Sequence, residues 1–66
     1  MPVEKIAMRL KQLRAKRGWT QEQLAEKAGI NRGYLARLET GRHDPTITTL
    51  EKLAKALRVK VAALLE

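Results

Sequence analysis

The stretch from Trp19 to Gly41, WTQEQLAEKAGINRGYLARLETG, constrains the fold most, because it writes two short capped helices joined by one glycine turn. Thr20 followed by Gln23 is a capping box: the Thr20 hydroxyl accepts from the Gln23 amide while the Gln23 side chain reaches back to the Thr20 amide. Trp19 before the cap and Leu24 after it are spaced to pack across it. The same grammar repeats at Asn31, with Ile30 and Leu35 as the flanking apolar pair. These signals predict one helix from Thr20 to Ala28 and the next from Asn31 to Glu39. Too few residues link them for an antiparallel pair over their full lengths, so they should cross steeply and expose the start of the later helix. Leu35 and Leu38 take its inner side.

The flanking segments supply the rest of a small core. Val3, Ile6, Leu10 and Leu13 step by three and four residues and form one stripe of a first helix from about Glu4 to Arg17, stopped at Gly18. Its other faces carry Lys5, Arg9, Lys11, Arg14, Lys16 and Arg17. Gly29 and Gly41 end the next two helices, and after Arg42-His43-Asp44-Pro45 the hydroxyl of Thr46 caps a fourth. The apolar set of that helix is Ile47, Leu50, Leu53, Ala54 and Leu57. Val61, Ala62, Leu64 and Leu65 predict a last short helix, poorly capped because Lys60 stands where Ser, Thr or Asp is preferred. With no strand-like alternation, residues 1–66 read as a single all-α domain of five short helices. A chain of this size buries only ~60% of the surface exposed when unfolded, so its stability margin is thin.

Charge selects among functions. The 14 Lys and Arg against 7 Asp and Glu give a formal net charge of +7, which favours acidic partners, nucleic acid first, although such charge also serves solubility alone. With no cysteine and a single histidine, the chain has no parts for a disulfide framework, a metal site or nucleophilic catalysis. There is also no close carboxylate pair or glycine-rich phosphate loop, so neither an enzyme nor a cofactor is expected. No run of ~18 apolar residues and no leader-like start are present, which predicts a soluble cytoplasmic protein without a membrane role.

The outward side of the helix from Asn31 presents Arg32, Gly33, Ala36 and Arg37. An arginine fork can bond O6 and N7 of guanine together in the major groove, worth ~1–3 kcal/mol of discrimination, and this makes Arg32 and Arg37 the base-reading candidates. Two exposed arginines taken alone read first as a solvated face, and it is the surrounding pattern that turns them toward base reading. Gly33 costs about 1 kcal/mol relative to alanine inside a helix. It has no capping duty at that position, so either it lets the backbone approach a base or phosphate or it is tolerated drift. Tyr34 offers its hydroxyl to a phosphate or packs on the first helix. The start of the helix at Thr20 and Gln21 suits a phosphate oxygen through free amides and the helix dipole. Arg42 and His43 are candidates for the DNA backbone on the far side, or an ordinary polar loop. Glu39 is the only acid from Lys27 to His43, and beside phosphates it is repulsive unless turned to a cation; Arg14 is its candidate partner in a structural ion pair.

These residues resemble the phage repressor and Cro-like, or XRE-type, helix-turn-helix DNA-binding family. The likeness runs from about Ile6 to Leu65 through Arg9-Leu10, Leu13-Arg14, Trp19 to Ala25, Gly29 to Arg32, Tyr34 to Gly41, and Pro45-Thr46 followed by Leu50, Leu53-Ala54 and Leu57. It implies a compact five-helix repressor-type domain that binds double-stranded operator DNA as a symmetric homodimer and is nucleoid-associated when bound. By position it puts Arg32, Gly33 and Arg37 on bases, Gln21 and Asn31 on phosphates, and Arg14 with Glu39 in an internal pair. Gly33 stands where a reading side chain is common, which shifts the reading to the arginines.

Two such units must present their reading helices about 34–36 Å apart, which requires dimerisation. Val59, Val61, Leu64 and Leu65 are the dimerisation candidates, the alternative being that they cap the monomer's own core. The competing function is a protein-interaction module of antitoxin or bridging-factor type. That use of the fold calls for an apolar outer stripe, and here the stripe holds arginines and a glycine. The operator, the target genes and the biological setting, whether phage switch, restriction-modification control, antitoxin or general regulator, stay open.

Overall fold

The computed structural model describes residues 2–66, which form α1 (Val3–Lys16), α2 (Gln21–Ala28), α3 (Arg32–Leu38), α4 (Ile47–Leu57) and α5 (Ala62–Leu65), with no strand among the described residues. The expected boundaries differ from these by a residue or two, as fraying helix ends do.

The caps set the path of the chain. At the start of α2 the Thr20 hydroxyl accepts from the Gln23 amide at 3.1 Å, and the Gln23 Oε1 accepts from the Thr20 amide at 2.8 Å. Asn31 Oδ1 accepts from the Tyr34 amide at 3.1 Å, and Thr46 Oγ1 from the Thr49 amide at 3.1 Å. Gly29 closes α2 at φ 71°, a left-handed conformation that a residue without Cβ adopts cheaply. α4 closes the same way on Arg58, at φ 58° the one non-glycine residue with positive φ among those described.

All five helices contribute to one core. Leu10 from α1, Leu24 from α2, Leu35 from α3, Leu53 and Leu57 from α4 and Leu64 from α5 are fully buried, joined by Ile6, Leu38 and Leu50. Ala25, Ala28 and Ala54 are the small buried members, suited to close approach of α2 and α4. Leu13, Trp19 and Ile30 pack on the rim.

Two expectations are corrected here. Ile47 does not belong to the core: it is 68% exposed. A helical side chain leans toward the helix N-terminus, so from the first position of α4 it projects past the helix end and beyond the packed layer. Leu64, in contrast, is not free to make a dimer contact. It is fully buried in the monomer, where α5 folds back on α1 and Arg9 Nε donates to the Ala63 carbonyl at 2.9 Å. Val59 and Val61 pack half-buried against the core, and of the four dimerisation candidates only Leu65 is exposed, at 38%. No helix among the described residues is long and apolar enough to cross a membrane.

Candidate nucleic-acid interface

The short link between α2 and α3 is held from inside. The Ile30 amide donates to the Ala25 carbonyl at 3.0 Å, and the Ile30 side chain packs on the core, so the chain reaches Asn31 with its direction fixed. Leu35 and Leu38 then anchor α3 at 0% and 1% exposure. Arg32, Gly33 and Arg37 stand exposed on its opposite side, with Asn31 exposed at its cap. A shallow concavity lined by Arg14, Thr20, Gln21, Glu22 and Arg32 joins this face to the start of α2. There the Gln21 and Glu22 amides precede the first intrahelical bond, from the Leu24 amide to the Thr20 carbonyl at 3.1 Å, and remain outside the helix ladder.

Behind this face lies a buried carboxylate. Glu39, 5% exposed, accepts from Arg14 through two parallel bonds of 2.9 Å, Nε to Oε2 and Nη2 to Oε1. Arg14 Nη1 donates to the Trp19 carbonyl at 2.9 Å, and Gln21 Nε2 donates to Glu39 Oε1 at 3.1 Å. One carboxylate thereby ties α1, the first residue of α2 and the end of α3. Its hydrogen bond raises the Arg14 guanidinium above the ordinary arginine value, with partial burial opposing and the charge of Glu39 adding to the effect. The sequence pointed to the Arg14–Glu39 pair through the isolation of Glu39, but gave no sign that Gln21 would spend its side chain there. A phosphate contact at Gln21 is left to its main-chain amide.

Tyr34 is half-buried against the core. Its hydroxyl lies 3.3 Å from Thr49 Oγ1 on α4, and Thr46 Oγ1 donates to the same oxygen at 2.9 Å. A row of hydroxyls thus joins α3 to the cap of α4. After α3, Thr40 Oγ1 donates to the Arg37 carbonyl at 2.6 Å and accepts from the Arg42 amide at 3.3 Å, which leaves Arg42 and His43 exposed in the loop beyond. No group of three or more His, Cys, Asp or Glu able to hold a metal ion occurs among the described residues.

Known proteins resemble this chain in sequence and in fold. The chain is 46% identical over 59 residues to the immunity repressor protein of Bacillus phage phi105, covering 89% of this chain and 41% of that protein. It is 40% identical over 62 residues to the transcriptional regulator SinR of Bacillus subtilis, covering 92% and 56% respectively. It therefore spans about half or less of the length of these curated relatives. Among solved structures it matches SinR, described as the master regulator for biofilm formation, in complex with DNA (TM-score 0.88, 40% identity, 92% of this chain and 98% of that one). It also matches the restriction-modification controller protein C.AhdI from Aeromonas hydrophila (TM-score 0.90, 34% identity, 94% of each). The family profile described as Helix-turn-helix, HTH_3, extends over residues 10–64, from the middle of α1 to the buried Leu64, and the chain belongs to that family.

Proposed function

We propose that the chain is a sequence-specific, double-stranded DNA-binding regulator of transcription, acting as a repressor, that reads the major groove with α3 as a homodimer on a pseudo-palindromic operator. The observation that carries this reading is the division of α3 into a fully buried leucine back and an exposed face of Arg32, Gly33 and Arg37. It is supported by the likeness to a SinR structure that contains DNA.

In this reading Arg32 and Arg37 contact base edges. Thr20, Gln21, Asn31, Tyr34, Arg42 and His43 meet the sugar-phosphate backbone, with Gln21 acting through its amide. These contacts fix register and orientation without selecting sequence. Arg14 and Glu39 keep the starts of α2 and α3 in a constant relation. Leu65, flanked by Val59 and Val61, is the apolar seed of the dimer contact. The net charge of +7 draws the protein to DNA before either half-site is recognised.

Selection from a randomised duplex pool near physiological salt tests the proposal, because purely phosphate-driven binding is weak there. The expected product is a two-fold-symmetric motif with half-sites about 10 bp apart. A folded chain that enriches no motif points instead to a protein-interaction module of the same fold.

A further inference from the structure

The exposed face of α3 and the start of α2 account for only part of the positive charge. At the other end of α2 an open cleft of about 690 Å³ is lined by Arg17, Lys27, Lys52, Lys55 and Arg58, with Glu26 as its one acid. All five cations are exposed, and the apolar part of the lining comes from Ala28, Ala56 and the half-buried Trp19. Arg17 and Lys27 hold their charges 5.6 and 4.9 Å from the centre of the Trp19 ring, and Arg17 Nη2 donates to the Leu57 carbonyl. Lys52 and Lys55 have no such partner. They stand three residues apart on one face of α4, where like charges repel, and the one ion pair among the described residues is Arg14–Glu39, so neither Glu26 nor Glu51 pairs with them. Arg58 adds a third open cation at a backbone cost: it closes α4 at φ 58° and ψ 43°, a left-handed conformation that glycine adopts cheaply and a residue with a side chain does not. A cation held in a strained conformation beside two unpaired ones points to what the cleft receives.

We propose that this cleft docks an acidic segment of a partner protein, whose carboxylates sit on Lys52, Lys55 and Arg58. Two arguments choose that occupant. A phosphate-sized anion meets one or two of these groups, whereas an extended peptide advances about 3.3 Å per residue and brings a carboxylate to several. Nucleic acid is placed elsewhere. α2 turns its beginning, at Thr20, Gln21 and Glu22, to the concavity shared with Arg32, and its end, from Glu26 to Gly29, to the cleft, along a helix of eight residues that is about 12 Å long. This second argument rests on the DNA-binding reading above. A duplex on α3 leaves the cleft open, so the protein holds its operator and an acidic partner together.

The test titrates hexaglutamate into the chain, with hexaglutamine as the control, at about 0.1 M salt, where charges more than about 10 Å apart are screened and local contacts dominate. Trp19 is the one tryptophan, so its emission reports occupancy of the cleft directly. Hexaglutamate should bind and shift that emission, and hexaglutamine should do neither. Lys52→Gln with Lys55→Gln should lower the affinity about tenfold, the size of two surface charge pairs, with Tm unchanged because both side chains are exposed. Arg32→Gln with Arg37→Gln removes the same charge from α3 and should lower it by no more than about twofold. With the selected operator duplex bound at saturation, hexaglutamate affinity should hold within about threefold. Equal losses from the two pairs of substitutions, or binding that leaves Trp19 emission unmoved, mean diffuse attraction to a basic chain and overturn the site. A duplex that expels the peptide assigns the cleft to DNA and overturns the partner while the DNA-binding reading stands. A chain that binds the peptide as expected but enriches no duplex motif loses the DNA-binding reading and keeps the docking site.

Discussion

Glu39 is the residue on which the fold and the candidate interface both depend. It sits buried in a segment otherwise free of acids, and only the paired bonds from Arg14 and the bond from Gln21 make that burial tolerable. Arg14→Ala strands the carboxylate and releases the Trp19 carbonyl, a change expected to cost about 3–5 kcal/mol. A chain of this length has only about 3–10 kcal/mol of stability in total, so chemical denaturation should show Arg14→Ala mostly unfolded or close to it. Arg14→Lys should recover only part of the loss, because an ammonium cannot reproduce the planar fork. The folded guanidinium is raised above its ordinary value, so from neutrality upward its contribution is complete below that value and is lost only as pH climbs through the raised one. The stability gap between wild type and Arg14→Lys should therefore stay flat from neutrality to about pH 10; a decline within that window contradicts the assignment. Arg37 poses a different question, one of sequence. Arg37→Ala should relax base preference at one position by roughly 5- to 150-fold with fold stability nearly unchanged, and an unaltered selected motif would put the reading face elsewhere. The lone acid made the Arg14–Glu39 pair legible in the sequence. Gln21 was not, because a glutamine at a helix start is written identically whether it faces a phosphate or a neighbouring carboxylate.

At the scale of the helices, the sequence carried almost everything that is local. Caps at Thr20, Asn31 and Thr46 and apolar steps of three and four placed each helix within a residue or two. What failed was decided by neighbours. Ile47 keeps the spacing of a core residue but projects past the end of α4, while Leu64 looks available for a partner yet is consumed by the return of α5 onto α1. Periodicity names a face and cannot say how far the opposing element extends. Tyr34 shows the same limit, since its partner on α4 is fixed by the path of the loop between the helices. Among the described residues the one non-glycine in a left-handed conformation is Arg58, where α4 ends. Arg58→Gly should relieve that strain and stabilise the chain by about 1 kcal/mol. In a domain of this size that is a rise in Tm of about 4–8 °C, and a calorimetric scan showing no gain would indicate that the arginine side chain returns as much as its backbone costs.

For the whole molecule the question is what the surplus of positive charge does, and the structure divides it. Arg17, Lys27, Lys52, Lys55 and Arg58, with Glu26 among them, line an open cleft of about 690 Å³ that shares no residue with the exposed face of α3. The C-terminal ends of α1, α2 and α4 converge there at Arg17, Gly29 and Arg58. Helix C-termini carry partial negative charge and unpaired carbonyls, which cations relieve. Arg17 Nη2 donates to the Leu57 carbonyl, and the charged groups of Arg17 and Lys27 lie 5.6 and 4.9 Å from the centre of the Trp19 ring. The charges of Arg17 and Lys27 are thus engaged within the fold, and a composition that reports only +7 cannot separate them from charges open to a partner. Salt dependence can separate them. Each phosphate neutralised by a cation adds about 0.9 to the slope of log K against log salt. Arg42→Gln should therefore reduce that slope by about 1 on the operator and on a scrambled duplex alike, as read by fluorescence anisotropy across a salt series. Lys52→Gln with Lys55→Gln should leave it unchanged despite removing twice the charge. A drop of about 2 in that pair would mean that DNA wraps onto the cleft, and the division of charge between fold and interface would have to be redrawn.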